Sequence, residues 1–195
     1  MIGQNIHTTI VSSTYDLLKE TELPITQFTP THFNKNKTLF MEGVRFAKAG
    51  GMVDITTSSS SISPGRIQPP EALKICVEEG VPLDRVTMSS DGNGSLPVFD
   101  AAGKLVGLVA ASPASLHKAV RDIVQAGILP LEDALRPVTC NPARSLKLPR
   151  KGALKVGFDA DAVVLDADLN VRDVFAKGRT MVRDKAVVVK GVFEK

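Results

Sequence analysis

Apolar and polar positions along the chain fall into a repeating order. Tyr15, Leu17 and Leu18 sit at helical spacing before the stop at Pro24, which predicts a helix over Ser13 to Glu20. Ile25 to Thr31 then reads as a short buried strand that closes on Pro30, Thr31 and His32. Phe40, Val44 and Ala47 mark a helix over Thr38 to Ala49, which ends at Gly50 and Gly51, where a left-handed cap is needed. Met52 to Thr57 is a second strand, followed by a polar serine-rich run and a helix opened by Pro69 and Pro70. Leu73, Cys76 and Val77 line that helix's inner face and Gly80 ends it; Val86 to Ser90 is a third strand. Strands alternating with amphipathic helices are the mark of repeated βα units and a parallel sheet.

In such sheets, functional groups gather just past the carboxyl ends of the strands. His32 closes the first of the three strands and Asp91 the third, so the pattern brings both to one end of the sheet. Beyond Asp91, the stretch Leu96 to Ala111 reads as a loop of unusual length, suspect as a functional lid or rim. Ser112 and Pro113 then open a helix with Leu116, Val120, Ile123 and Val124 inward and Gly127 at its end, and Pro130 starts a short one through Leu131 and Leu135. From Gly152 the period changes. Ala162 to Leu165, Val171 to Phe175, Met181 with Val182, and Ala186 to Val189 are short strands separated at hairpin distances, a small antiparallel module.

Composition narrows the class of protein. With 43% hydrophobic residues and 23% charged in 195 positions, the chain has the makings of a packed core. A net charge of +3 spread along the chain, without interleaved aromatics, speaks against nucleic-acid binding. No apolar run approaches a membrane span and no signal-peptide order opens the chain, so no membrane role is expected. The two cysteines, Cys76 and Cys140, lack CxxC spacing, which fits a reduced, cytoplasmic protein. No serine lies in a GxSxG elbow and no GxGxxG loop occurs.

Five stretches carry a family likeness: PTHFNKN from Pro30, MVDITTS from Met52, SSDGNGS from Ser89, LEDALRPVTCNPARSL from Leu131 and GALKVGFDADAVVLD from Gly152. Together they resemble the carboxyl-terminal half of the isoaspartyl (β-aspartyl) dipeptidases, metallopeptidases of the amidohydrolase superfamily. The resemblance implies an α/β chain: residues 1–150 as the last βα units of a (β/α)8 TIM-type barrel, and residues 151–195 as part of an antiparallel β-sandwich. It also implies a pair of zinc ions at the barrel mouth, with His32 and Asp91 as metal ligands. Asp91 would also shuttle the proton of the metal-bound water that attacks the amide of an isoaspartyl dipeptide. Such a role suits a carboxylate beside a zinc-activated water. Gly92 and Gly94 allow a tight turn, and Ser95 can donate a hydrogen bond to a substrate carboxylate. Where the family carries an arginine three residues after the metal-binding histidine, this chain has Lys35, which keeps the charge and loses the planar fork.

The family's HxH pair, bridging lysine and strand-five histidine have no clear counterparts. The histidines are His7, His32 and His117, so the strand-five ligand is either His7 or lies outside the chain. His117 is expected on the polar side of its helix. The chain therefore reads as truncated: a shortened gene, half of a split enzyme or a frame-shifted remnant. Three functions follow. One is a dipeptidase completed by a complementary amino-terminal half or a homo-oligomer. Another is an inactive fragment serving as an assembly partner, and the more distant third is a hydrolase of cyclic amides such as hydantoins or dihydropyrimidines. Asp54, in the middle of MVDITT, is expected to pack or support rather than react.

Overall fold

The computed structural model describes residues 16, 18, 20–58 and 65–191. The chain divides into two compact units, residues 1–141 and 142–195. Of the helix expected over residues 13–20, positions 16 and 18 are helical, and most of the rest, like His7, lies outside the described residues.

The first unit is built on two parallel strands, β1 (Val53–Thr56) and β2 (Val86–Ser89), paired Val53 with Val86 through Thr56 with Ser89. All four residues of β1 are buried, as expected of a parallel strand covered on both faces. Helix α1 (Lys37–Lys48) starts where the Asn36 side chain accepts the Leu39 N–H at 2.9 Å, and it is followed by Gly50 at φ 102°. Its face of Leu39, Phe40, Val44 and Ala47 enters the core. Helix α2 (Pro69–Glu78) carries prolines in its first turn, where amide donors are not needed, and buries Ala72, Leu73 and Cys76. Helix α3 (Ser115–Gln125) adds Val120 and Ile123, and the short α4 (Leu131–Leu135) adds Ala134.

Two expectations fail in this unit. The segment 25–31 is not a strand; Ile25–Gln27 is a 3-10 turn and the residues after it are irregular. Pro24 precedes the segment and Pro30 lies within it, neither offering a ladder donor, and most of it is exposed, so nothing draws it into the sheet. The stretch after Asp91 is not a loop but an antiparallel hairpin of β3 (Ser95–Phe99) and β4 (Leu105–Ala110). Its turn is held by Asp100, whose carboxylate accepts the N–H groups of Ala102 at 3.0 Å and Lys104 at 2.9 Å, with Gly103 at φ 79°.

Helix α5 (Cys140–Ser145) carries the chain from the first unit into the second. The second unit is a meander of β5 (Ala162–Leu165), β6 (Val171–Ala176), β7 (Arg179–Arg183) and β8 (Ala186–Val187), each antiparallel to its neighbour. Lys177 with Gly178, and Asp184 with Lys185, all have positive φ, the geometry of the tight hairpin turns that follow strand twist. Asp161 accepts the Lys177 N–H at 2.7 Å and pairs with Lys151, while Asp159 pairs with Arg150 at 2.6 Å and Lys151 at 2.9 Å. Lys151 in turn holds both carboxyls below the usual aspartate range through hydrogen bonds. The Asp159-Ala160-Asp161 motif thus clamps the start of the meander to its first tight turn.

The architecture is therefore α/β, with part of a βα barrel followed by an antiparallel sheet, and the described parallel strands do not close a barrel.

Candidate functional site

Because β1 and β2 are parallel and in register, their carboxyl ends lie side by side, and Thr57 N–H extends the pairing to the Ser89 carbonyl at 2.8 Å. His32 reaches this rim from outside the sheet. Its backbone is left-handed, at φ 63° and ψ 24°, and its Nδ1 lies 2.9 Å from the hydroxyl of Thr56, the last residue of β1. Asp91 follows the end of β2 by two residues, also left-handed at φ 51°. A positive φ is uncommon outside glycine and costs roughly 1–2 kcal/mol, although histidine and aspartate are among the residues that adopt it. The two residues expected to share a rim do so, although no strand delivers the first of them.

What places His32 there is Asn34, wholly buried two residues on. Its amide donates to the carbonyls of Thr56 at 3.0 Å and Ile67 at 2.9 Å, and its oxygen accepts the Thr56 N–H at 3.0 Å. One side chain thereby stitches the segment carrying His32 and Lys35 to the end of β1 and to residue 67. The sequence contained this signal only as an asparagine within PTHFNKN, without any pattern that marks it as buried.

The glycines around Asp91 have steric roles. A Cβ on Gly94 would stand 2.8 Å from the Asp91 carbonyl oxygen and 3.0 Å from its Cγ, so the carboxyl group folds back over a residue that cannot carry a side chain. A Cβ on Gly92 would meet Pro113 at 2.9 Å. The turn is closed by Gly94 N–H donating to the Asp91 carbonyl at 2.9 Å and tied to the end of β4 by Ala111 N–H donating to Gly94 at 2.8 Å. Asp91 itself is exposed. Ser95 is the exposed first residue of β3, opposite Ala110, and Lys35 is exposed beside His32, donating its N–H to the His32 carbonyl at 3.2 Å.

Asp54 plays the supporting part expected of it. It bridges the strands, accepting hydrogen bonds from Thr87 at 2.9 Å and Ser89 at 2.6 Å. Burial raises its pKa above the ordinary value, against the opposing pull of those two hydroxyls. Behind the rim, Thr57 donates to the Ser89 carbonyl at 3.2 Å and meets the Ser115 hydroxyl at 2.8 Å. His117, expected on the polar side of its helix, is half-buried on α3, outside the buried set of Ala119, Val120 and Ile123. The Cys76 thiol is pushed up to about 12 by burial, consistent with a packing role.

Arg66 also stands at this rim, and no sequence pattern points to it. Its guanidinium Nη2 donates to the Thr56 carbonyl at 3.4 Å, and the Asp91 carboxylate acts on it through space. Among the described residues, no group of three or more histidine, cysteine or acidic side chains is arranged to hold a metal. A pocket in the second unit lined by Arg150, Phe158, Asp159 and Lys177 is a different environment, with Arg150 and Asp159 already paired.

The chain belongs to the amidohydrolase family, which it matches over residues 2–192. Among solved structures, it is similar to a β-aspartyl dipeptidase from Fervidobacterium islandicum AW-1 in complex with a β-Asp-Leu dipeptide. The TM-score is 0.79 at 36% identity, over 91% of this chain and 45% of that one. Among curated proteins, it is similar to an adenine deaminase of Methanothrix thermoacetophila, 43% identical over 65 residues, which is 33% of this chain and 11% of that protein. An N-acetylglucosamine-6-phosphate deacetylase of Lysinibacillus sphaericus is 33% identical over 96 residues, 44% of this chain and 25% of the other. The chain thus spans less than half the length of each of these relatives.

Proposed function

We propose that this chain forms part of a metal-dependent hydrolase of isoaspartyl dipeptides, with residues 1–150 as barrel and 151–195 as part of a β-sandwich. The observation that carries the reading is the placement of His32 and Asp91 at the carboxyl ends of neighbouring parallel strands, on a chain similar over 91% of its length to a β-aspartyl dipeptidase. The donor set, an imidazole and a carboxylate, suits zinc. Thr56 fixes the His32 ring through Nδ1, the outer contact that metal-binding histidines use for orientation. A bound ion there supplies Lewis acidity to the scissile carbonyl and to the attacking water.

The chain's own groups do the rest. Asp91 takes a proton from the attacking water and returns it to the nitrogen of the leaving amine, so the carboxylate ends the cycle as it began. Lys35 and Ser95, both exposed at the rim, contact the substrate's carboxylates. A second reading is favoured by the donor count: because the described residues hold no group of three or more metal-ligating side chains, the site is completed by a complementary half or a second copy of the chain, and alone the chain is an assembly partner.

The test is release of leucine from β-Asp-Leu by the purified chain with zinc added, compared with Asp91→Asn. Loss of a positioned proton carrier is expected to lower turnover by roughly 100-fold or more, with an unchanged unfolding midpoint. Undiminished hydrolysis by Asp91→Asn would overturn the assignment. A well-folded chain that neither hydrolyses the dipeptide nor retains zinc supports the second reading instead.

A further inference from the structure

Among the described residues, two buried side-chain polar atoms have no hydrogen-bond partner, Ser58 Oγ and Arg66 Nε, and both belong to the same rim. Ser58, only 4% exposed, follows the end of β1 by two residues. Arg66 leans on the carbonyl of Thr56, the residue that holds His32. Buried polar groups in folded proteins are almost always paired, and an unpaired guanidinium donor is the costliest kind to leave so. One such atom follows the end of β1 and the other belongs to a side chain bonded to that end, so hydrogen-bond partners for both are expected there from elsewhere.

The position of Arg66 is also fixed. The next residue, Ile67, is buried, and both its N–H and its carbonyl are bonded to Asn34, at 3.0 Å and 2.9 Å. Asn34 precedes Lys35 in the chain, so the backbone carrying the guanidinium is tied to the backbone carrying the lysine. The Thr56 carbonyl at 3.4 Å is a long partner for Nη2, and Nε has none, which leaves that edge of the fork for something better. Arginine keeps its proton in proteins, so Arg66 is a cation in a partly desolvated site, with the Asp91 carboxylate acting on it through space. There a planar two-pronged donor discriminates strongly for carboxylates.

We propose that Arg66 is a specificity-determining residue of this site, anchoring a carboxylate of an acidic substrate together with the Ser58 hydroxyl and restoring the planar fork that Lys35 cannot provide. The identity of that substrate as an isoaspartyl dipeptide rests on the function proposed above; the capture of a carboxylate does not.

Calorimetric titration of the full chain with succinate and with its uncharged diamide, succinamide, separates the two. Wild type is expected to bind succinate at least roughly tenfold more tightly than succinamide, the effect of a charge-assisted hydrogen bond. Arg66→Met should lose that preference while its affinity for succinamide is unchanged. Arg66→Lys, which keeps charge and stem, should fall between them, and it tests the idea independently if Arg66→Met lowers the unfolding midpoint. A wild type that binds succinate no better than succinamide, or an Arg66→Met variant that binds succinate like wild type, overturns the proposal. If β-Asp-Leu is hydrolysed, Arg66→Met should raise KM about tenfold with kcat largely retained. Succinate capture through Arg66 by a chain that cannot hydrolyse the dipeptide would count against the dipeptidase reading and leave the carboxylate anchor standing.

Discussion

The first unit contains two strand pairs made of opposite materials. β1 reads Val-Asp-Ile-Thr and is buried at every position; β4 reads Leu-Val-Gly-Leu-Val-Ala and is exposed at every position. Hydropathy alone would place them the other way round. The difference lies in what covers each strand. β1 lies under α1 and α2, and its polar groups are bonded, Asp54 to the hydroxyls of Thr87 and Ser89 and Thr56 to Asn34. β4 pairs with β3 and carries Leu105, Val106, Leu108 and Val109 outward, each about half or more exposed. Polar residues can occupy a core when each one is paired, and the candidate site sits at the end of the pair where this is done.

The comparison breaks most severely at Asn34. Replacing it with alanine removes three hydrogen bonds, strands the Thr56 N–H and the Ile67 carbonyl, and leaves the Thr56 carbonyl only its long bond from Arg66. Each of the three lost bonds costs about 1 kcal/mol, so Asn34→Ala should destabilise the chain by about 3 kcal/mol, read as a shift in the urea midpoint. The segments carrying His32 and Arg66 would lose their common anchor, so succinate binding should fall with stability. A loss below about 1 kcal/mol would show that the stitch contributes little.

Asp54 sharpens the comparison through pH. Folding raises its pKa above the ordinary 3.8, chiefly by burial, so the native chain holds this proton to higher pH than the unfolded chain does. The group's contribution to stability is therefore greatest below pH 3.8, declines as pH rises from there through the native pKa, and is level above it. Asp54→Asn keeps the shape and stays neutral, so its stability relative to wild type should grow across that window. Unfolding midpoints of both proteins between acid and neutral pH measure it. A wild type that instead gains on the variant as pH rises would mean that the two hydroxyl bonds outweigh the cost of burial.

These elements were not equally legible in the sequence. The helices α1 and α2, the strands β1 and β2 and the meander were, because their apolar periods are regular and their ends carry glycine, proline or tight-turn residues. Val77, expected inward on α2, is 44% exposed because Ala72, Leu73 and Cys76 set the buried face. His32 was placed at the correct rim by a strand that does not form; a side-chain bond to Thr56 and the Asn34 stitch do that work, and long-range bonds leave no periodicity. The β3–β4 hairpin was hidden by Pro97 and Gly107 within the strands and by a turn held by Asp100 instead of a two-residue glycine turn. Arg66 was illegible because its place depends on Ile67 meeting Asn34, 33 positions away.

The smallest expected effect belongs to β4. Leu108 is 65% exposed, so Leu108→Thr removes little buried apolar area and substitutes a residue well suited to a strand. The midpoint should move by less than about 0.5 kcal/mol, the range of surface substitutions away from special features. The same experiment tests whether exposure on this strand persists in solution. A loss above about 1 kcal/mol, or a loss that grows with protein concentration, would show that the β4 face is covered by another chain and that the contrast with β1 is one of partner rather than of material.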